Sequence, residues 1–338
     1  MSDLIREIGE RGLIERLRSR VGEPGEGVVV GIGDDAAVID EGGADYLLLT
    51  DDAFIDQIHF DLSTWTPTQV GIKAMAATLS DIAAMGGRAK ACLVSLLLPP
   101  SFEVGHLDGL YDGLMTTAGR FGVTIVGGNI VRAPRLGLCL TATGSVDKTR
   151  LCPRSGATVG EILAVTGDLG RSEAGRLVVA RSLAVDEATA HSARQKHFEP
   201  VPRLEEAALL VGAVKVGAMI DISDGLASEV HHIARESKVG ARLDVGALPI
   251  LEGTRRVARA AGVDPVSLAL GGGEDFELLL TLPPEMLGTA GRALEPSGTT
   301  LTAIGEVTSQ DEGVRLIGED GVARPLDVAG WDHLRSDS

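Results

Sequence analysis

Acidic residues recur where apolar, strand-like runs of this sequence end. Asp34 and Asp35 follow the run 28–32, Asp51 and Asp52 follow 47–50, and Asp221 and Asp224 flank Ile222 and Ser223. Asp81 stands inside the apolar run 73–85, and Glu274 and Asp275 follow three glycines. Strand ends are rigid, so side chains there can converge with fixed geometry. Carboxylates packed without lysine partners repel and raise one another's pKa, so a cation has to compensate. Hard oxygen ligands of this kind suit Mg2+, which keeps water and bridges to substrate phosphates. Any single aspartate could instead cap a helix and face solvent; the clusters taken jointly favour a metal site.

No lysine phosphate loop accompanies these acids. The chain has six lysines, Lys73, Lys90, Lys148, Lys196, Lys215 and Lys238, and none directly follows a glycine. A nucleoside triphosphate must therefore be held by another design. Residues 31–36 read G-x-G-x-x-A after a strand, but a dinucleotide fingerprint needs a helix next, and 36–39 looks like a second strand. Gly127–Gly128–Asn129 and Gly271–Gly272–Gly273 either turn tightly or let backbone N–H groups approach a phosphate. Arg154 could clamp a phosphate or lie on the surface. His59 follows the Asp51–Asp52 pair closely, and Trp331 could stack on a ring or plug the C-terminus. His231 and His232 lack a third ligand at metal spacing and read as surface residues.

The elements that must position these residues follow from periodicity and punctuation. Helices are expected over 3–20, weakened by Gly9 and Gly12, and over 67–85 with Pro67 in the first turn, then 104–120, 170–182 and 202–211. Another should run to about Glu236, capped by Ser223 or Asp224. Strands are expected over 28–32, 46–50, 90–98, 123–126 (ending at Gly127–Gly128), 136–146, 161–166, 218–222, 276–282 and 300–307. Strands and helices alternate irregularly, which points to an α+β fold rather than a doubly wound α/β one. The turn-like, charged stretch 147–150 marks a boundary between domains 1–147 and 148–338.

The 338 residues fit about two domains, with 44% apolar and 23% charged residues. The formal charge, 31 − 48 = −17, argues against broad nucleic-acid or anionic-membrane binding. It leaves phosphate substrates open, because divalent cations invert a local field. Cys92, Cys139 and Cys152 lack C-x-x-C spacing and read as reduced thiols. The N-terminus carries Asp3, Arg6, Glu7 and Glu10, too charged for a secretory signal, and no run approaches a membrane span. A cytoplasmic protein is expected.

Eight segments taken in order resemble the thiamine-monophosphate kinases, whose superfamily includes aminoimidazole ribonucleotide synthetase and the hydrogenase-maturation and selenophosphate enzymes. They are GIGDDAAV (31–38), LLTDDAFIDQIHF (48–60), TLSDIAAMGG (78–87), IVGGN (125–129), RSGATVGE (154–161), VTGDLGRSEAG (165–175), MIDISDGLASE (219–229) and GGGEDFELL (271–279). The resemblance implies a two-domain aminoimidazole ribonucleotide synthetase-like fold, whose N-terminal domain pairs across a homodimer into a β-barrel, with an active site in the cleft between domains. It implies ATP-dependent phosphorylation of thiamine monophosphate to the diphosphate, with ATP held by several Mg2+ ions and no side chain acting as acid, base or nucleophile. A sister ATP-dependent synthase or a non-catalytic binding protein are the rival readings. The implied metal ligands are Asp35, Thr50, Asp51, Asp52, Asp81, Asn129, Asp221 and Asp224. Nucleotide contacts fall on Phe121, Gly128, Asn129, Arg154 and Ser223, and acceptor contacts on His59, Glu274 and Trp331. Three positions depart from the family pattern. Asn129 replaces an aspartate, Asp51 adds a charge that could offset that loss if both face one metal cluster, and Phe121 replaces a tyrosine.

Overall fold

A computed structural model of the chain describes residues 5–328, apart from Ser182 and the side chains of Arg6 and Arg11. Trp331 lies outside the described residues. The first half runs α1 (Ile5–Val21), β1 (Val28–Val30), β2 (Ala37–Ile39), β3 (Asp45–Ile55), α2 (Pro67–Ala84), β4 (Arg88–Leu98), α3 (Val104–Arg120), β5 (Thr124–Arg132) and β6 (Gly137–Asp147). The second runs β7 (Ile162–Thr166), α4 (Arg171–Arg181), α5 (Glu187–Phe198), α6 (Leu204–Ala213), β8 (Met219–Asp221), α7 (Leu226–Ser237), β9 (Gly240–Asp244), α8 (Glu252–Ala261) and α9 (Pro265–Gly271). It ends with β10 (Leu278–Leu282), α10 (Leu287–Leu294), β11 (Leu301–Thr308), β12 (Val314–Ile317) and β13 (Ala323–Pro325).

Two open mixed sheets result, ordered β1-β2-β3-β6-β4-β5 and β13-β12-β9-β11-β7-β10-β8. Neither closes into a barrel among the described residues. In the first sheet β3 and β6 pair antiparallel from Asp45↔Asp147 to Ile55↔Gly137, and β4 and β5 pair parallel across the α3 crossover. Strand alternation splits this sheet into two faces. Leu138, Leu140 and Ala142 are buried on the inner face beneath α2, while Thr141 and Leu93 point outward.

Helix α2 is the structural beam. A capping box joins Thr66 and Gln69, and Pro67 sits in the first turn, where its missing N–H costs nothing. The helix is buried on almost every side, as its largely apolar sequence requires. One core runs from Leu138 and Leu140 through Met75, Leu79 and Ile82 to Leu210 and Leu280, so α2 joins the two halves.

The structure corrects several sequence-based expectations. β3 continues to Ile55, because β6 pairs with it throughout, so Asp51 and Asp52 lie within a strand rather than beyond its end. β5 passes through Gly127 and Gly128 to Arg132, since β4 offers partners along that length. A Cβ on Gly128 would fall 1.8 Å from the Val94 carbonyl oxygen, so glycine there serves strand packing. Gly225, at φ 122°, caps α7, and neither Ser223 nor Asp224 does. Residues after Gly33 form β2, antiparallel to its neighbours, which removes the helix a dinucleotide site needs. α1 breaks at Gly9, where φ is 71°. The second half also holds α5, α8, α9, α10, β9, β12 and β13, for which the sequence pattern gave no signal.

Two glycines set how closely α2 meets α3. A Cβ on Gly71 would lie 2.1 Å from the Leu110 carbonyl oxygen, and one on Gly113 would lie 2.0 Å from that of Thr68. Gly71→Ala or Gly113→Ala should each destabilise the protein by about 1–3 kcal/mol through overpacking. Gly119→Ala, on the open side of α3, should be neutral or stabilising by about 0.5–1 kcal/mol. Urea denaturation of the three variants measures the contrast.

Candidate active site

Three separate elements bring carboxylates together. Asp35 sits in the turn between β1 and β2, Asp81 on α2, and Asp221 at the end of β8. One oxygen from each lies within 4.8 Å of the other two. The Asp35 side chain is 1% exposed, and Arg154 Nη2 donates to its Oδ1. Asp35 Oδ2 and Asp221 Oδ2 are buried without a hydrogen-bond partner. Thr50 reaches the cluster from β3, donating its hydroxyl to Asp81 Oδ2. Asp52, two residues further along β3, shares the Thr50 face and adds its charge to the cluster.

The electrostatics follow from burial and like charge. Burial first, then the charges of Asp52, Asp221 and Asp35, push Asp81 well above the usual carboxylate value, with Thr50 opposing. Burial and Asp35 raise Asp221 to about 8, against the nearby Ser80 hydroxyl and Arg154. Burial and Asp35 raise Asp34 to about 7, although Arg154 N–H donates to Asp34 Oδ2 at 3.1 Å. Burial raises Asp52 to about 6, and Asp51 adds to the rise while Thr78 opposes it. Arg154 is the positive charge set among these acids, held by Asp34 and Asp35 rather than directed at solvent.

A groove of about 1390 Å³ opens beside the cluster, lined by Asp35, Thr50, Arg154, Ser223 and Asp224, with Arg18 of α1 also on its wall. The Asp224 N–H donates to Glu229 Oε1 at 2.9 Å, and Glu229 is raised well above its ordinary value by burial and by Asp224. Asp51 also lines this groove, with its carboxylate on the outer face of β3, where Thr141 donates to it at 2.5 Å. Asn129 is on that same outer face but on edge strand β5, across three strand spacings or roughly 14 Å from β3. The two therefore do not face one metal cluster within a single chain. Gly128 shares β5, and Phe121 ends α3 with Arg120 over its ring at 5.3 Å. His59 lies in the turn beyond β3, where its Nδ1 accepts the Ile55 N–H at 3.0 Å. Glu274 pairs with Lys73 at 2.5 Å, and its N–H donates to the Ser223 carbonyl at 2.6 Å.

Asp34, Thr78, Glu229 and Lys73 belong to this region; the sequence reading counted Asp34 among the acid clusters but not among the implied ligands, and gave the other three no role. Thr78 and Glu229 stood inside the motifs already noted. Glu229 and Lys73 each sit on an amphipathic or apolar helix, where sequence alone gives no sign of a buried charge.

The raised carboxyls fix a pH dependence. They titrate near 3.8 when unfolded but keep protons to about 6, 7 and 8 in the fold at Asp52, Asp34 and Asp221. The folded state binds more protons across that window, so stability falls as pH rises through it. His197, buried and held well below 6.5, opposes this trend with a single proton. In chelator, the thermal midpoint should be higher at about pH 5.5 than at about pH 8.5, and Asp221→Asn should narrow the gap. A midpoint that climbs over this range in the unmutated protein would contradict the clustering.

Comparison with known proteins places these features in a family. Residues 33–146 match the family model described as AIR synthase related protein, N-terminal domain, and residues 158–317 match its C-terminal domain counterpart. The thiamine-monophosphate kinase of Salmonella typhimurium is 35% identical over 327 residues, 96% of this chain and 98% of that protein. The thiamine-monophosphate kinase of Mycobacterium tuberculosis is 36% identical over 300 residues, 87% of each chain. A solved structure described as AaThiL complexed with AMPPCP and TMP aligns with a TM-score of 0.86 at 31% identity, covering 98% of this chain and 99% of that one. The hydrogenase maturation protein HypE of E. coli shares the fold at a TM-score of 0.68 and 24% identity, covering 85% of this chain and 88% of that one. The chain belongs to the thiamine-monophosphate kinase family.

Proposed function

We propose that the protein transfers the γ-phosphoryl group of ATP directly to thiamine monophosphate, giving thiamine diphosphate, with Mg2+ ions on the carboxylate cluster. The observation that carries this reading is the convergence of Asp35, Asp81 and Asp221, with two buried carboxylate oxygens lacking partners beside a groove of nucleotide size. The donor set fits the ion, because all its atoms are hard oxygens and Arg154 alone does not balance the acids around it. Asp35, Asp81 and Asp221 are the proposed core ligands, with Thr50, Asp52 and Asp224 within their reach. When bound, Mg2+ neutralises the charge building up on the phosphates.

The chain's own residues position the reactants. The acceptor is a phosphate monoester with a second pKa of about 6, so near neutrality no side chain has to remove its proton. Two anions must still be aligned in line, which rigid ligands from β3, α2 and β8 can do. Ser223 and Arg154 line the groove where the nucleotide would lie. The acidic wall beside them discourages phosphates until cations are present.

A homodimer is part of this reading. The outer face and free edge of the first sheet expose Ile55, Leu93, Val126, Ile130 and Val131, a concentration of apolar side chains that points to an association surface. A second copy covering that face would close the barrel expected from the resemblance and bring Phe121, Gly128, Asn129 and Asp51 into an enclosed space. Residues 1–147 would then supply dimerisation and metal binding, and 148–338 would complete the nucleotide and acceptor site. No helix among the described residues is long and apolar enough to cross a membrane, and the three free thiols suit a reducing cytoplasm.

ATP, Mg2+ and thiamine monophosphate should yield thiamine diphosphate, identified by mass, whereas thiamine offered as acceptor should yield none. Asp81→Asn and Asp221→Asn should each lower kcat/KM by about 100-fold or more with unchanged circular dichroism. Wild-type rates in either variant at limiting Mg2+ would defeat the metal assignment. Ile130→Glu should shift the protein toward monomer in light scattering, and an unchanged mass would remove this face from the interface.

A further inference from the structure

Two buried lysines form ion pairs of different kinds. Lys196 meets Glu277 at 2.5 Å with side chains 5% and 0% exposed, and Arg203 donates to both oxygens of the same carboxylate. That pair is wholly internal. Lys73 meets Glu274 at the same 2.5 Å, but the side-chain exposures are 5% and 35%. Its ammonium is buried while its carboxylate partner stays open to solvent. Burying an ammonium costs several kcal/mol by desolvation, and an apolar residue in its place is often better for stability. A pair with one open end therefore needs a reason beyond folding.

The surroundings tie down one side of Glu274 and leave the other clear. Lys73 Nζ and His197 Nδ1 approach Oε2 at 2.5 and 3.5 Å. His197 is 5% exposed and also contacts Ser172 Oγ at 3.3 Å. Trp65 backs the ammonium, its ring centroid 4.8 Å from Nζ. Glu274 adopts φ 65°, a left-handed conformation that costs a non-glycine residue free energy and clusters at functional sites. Its N–H is anchored to Ser223, a residue of the groove wall. Among the described residues, Oε1 has no hydrogen-bond or ion-pair partner.

We propose that Lys73 is a positioning residue of the acceptor subsite: its ion pair fixes Glu274 so that Oε1 accepts a hydrogen bond from an amino-substituted heterocycle. This rests on the reading of Glu274 as an acceptor contact and deepens it. With its charge balanced from behind, Glu274 selects a substrate through an N–H donor more than through net positive charge. The aminopyrimidine of thiamine monophosphate has that donor. Lys73 and Asp81 stand eight residues apart on α2, about 12 Å along its axis, so one rigid element carries both the ion pair and a member of the carboxylate cluster.

Steady-state kinetics with each substrate varied tests the assignment in Lys73→Met, Glu274→Gln and the double variant. Lys73→Met should raise the KM for thiamine monophosphate about tenfold and leave the KM for ATP within about twofold. The double variant should be no worse than Glu274→Gln alone, because Lys73 acts only through Glu274. If Lys73→Met does not fold, the double variant lacks the stranded carboxylate, and its comparison with Glu274→Gln decides. An unchanged acceptor KM, equal rises for both substrates or additive losses in the double variant would overturn the role of Lys73 while the kinase reading stands. No thiamine diphosphate from the unmutated protein would remove the kinase reading and this proposal together.

Discussion

Mutual repulsion among carboxylates is the constraint from which the rest of the site follows. Asp35, Asp81 and Asp221 are brought within 4.8 Å by a turn, a helix and a strand end, and burial makes their charges costly. A fold that assembles such a cluster spends stability on it. Arg154 relieves the cluster at Asp34 and Asp35 and leaves oxygens of Asp35 and Asp221 unsatisfied. On the proposed reading, cations complete the site, and polyphosphate becomes welcome only in their company.

The rigidity this demands comes from α2. The helix is enclosed by the first sheet, by α3 through the Gly71–Gly113 contact, and by α6 and β8 of the second half. Its burial explains how Asp81 and Lys73 can be held in unfavourable surroundings: the packing around them is contiguous across both halves of the chain. The two charges sit at different points along the helix: Asp81 joins the carboxylate cluster, and Lys73 pairs with a carboxylate that is open on one side.

The first sheet divides its acidic residues by strand alternation. Thr50 and Asp52 point inward to the cluster, and Asp51 points outward to Thr141. Asn129 shares that outward face at a distance. Of the departures from the family pattern, Asp51 borders the groove but turns its carboxylate to the outer face, and Asn129 lies three strands away on β5.

The long amphipathic and apolar patterns already declared α2, with Pro67 in its first turn, and α3, and the acid-bearing motifs already pointed to divalent metal chemistry. The placement of the six lysines excluded a lysine phosphate loop, and the residues after Gly33 excluded a dinucleotide turn. These features are local: they depend on periodicity, on backbone preferences and on which side chains are present at all. Strand lengths at β3 and β5 were not local, because a partner strand decides how far pairing extends. Sequence grouped Asp51 with Asp52, and only the pleat separated them onto opposite faces. Nothing in the order of residues announced that Lys73 would be buried against Glu274, some two hundred positions away. Such contacts depend on how sheets and helices pack, and the free energy that decides them belongs to the assembled fold.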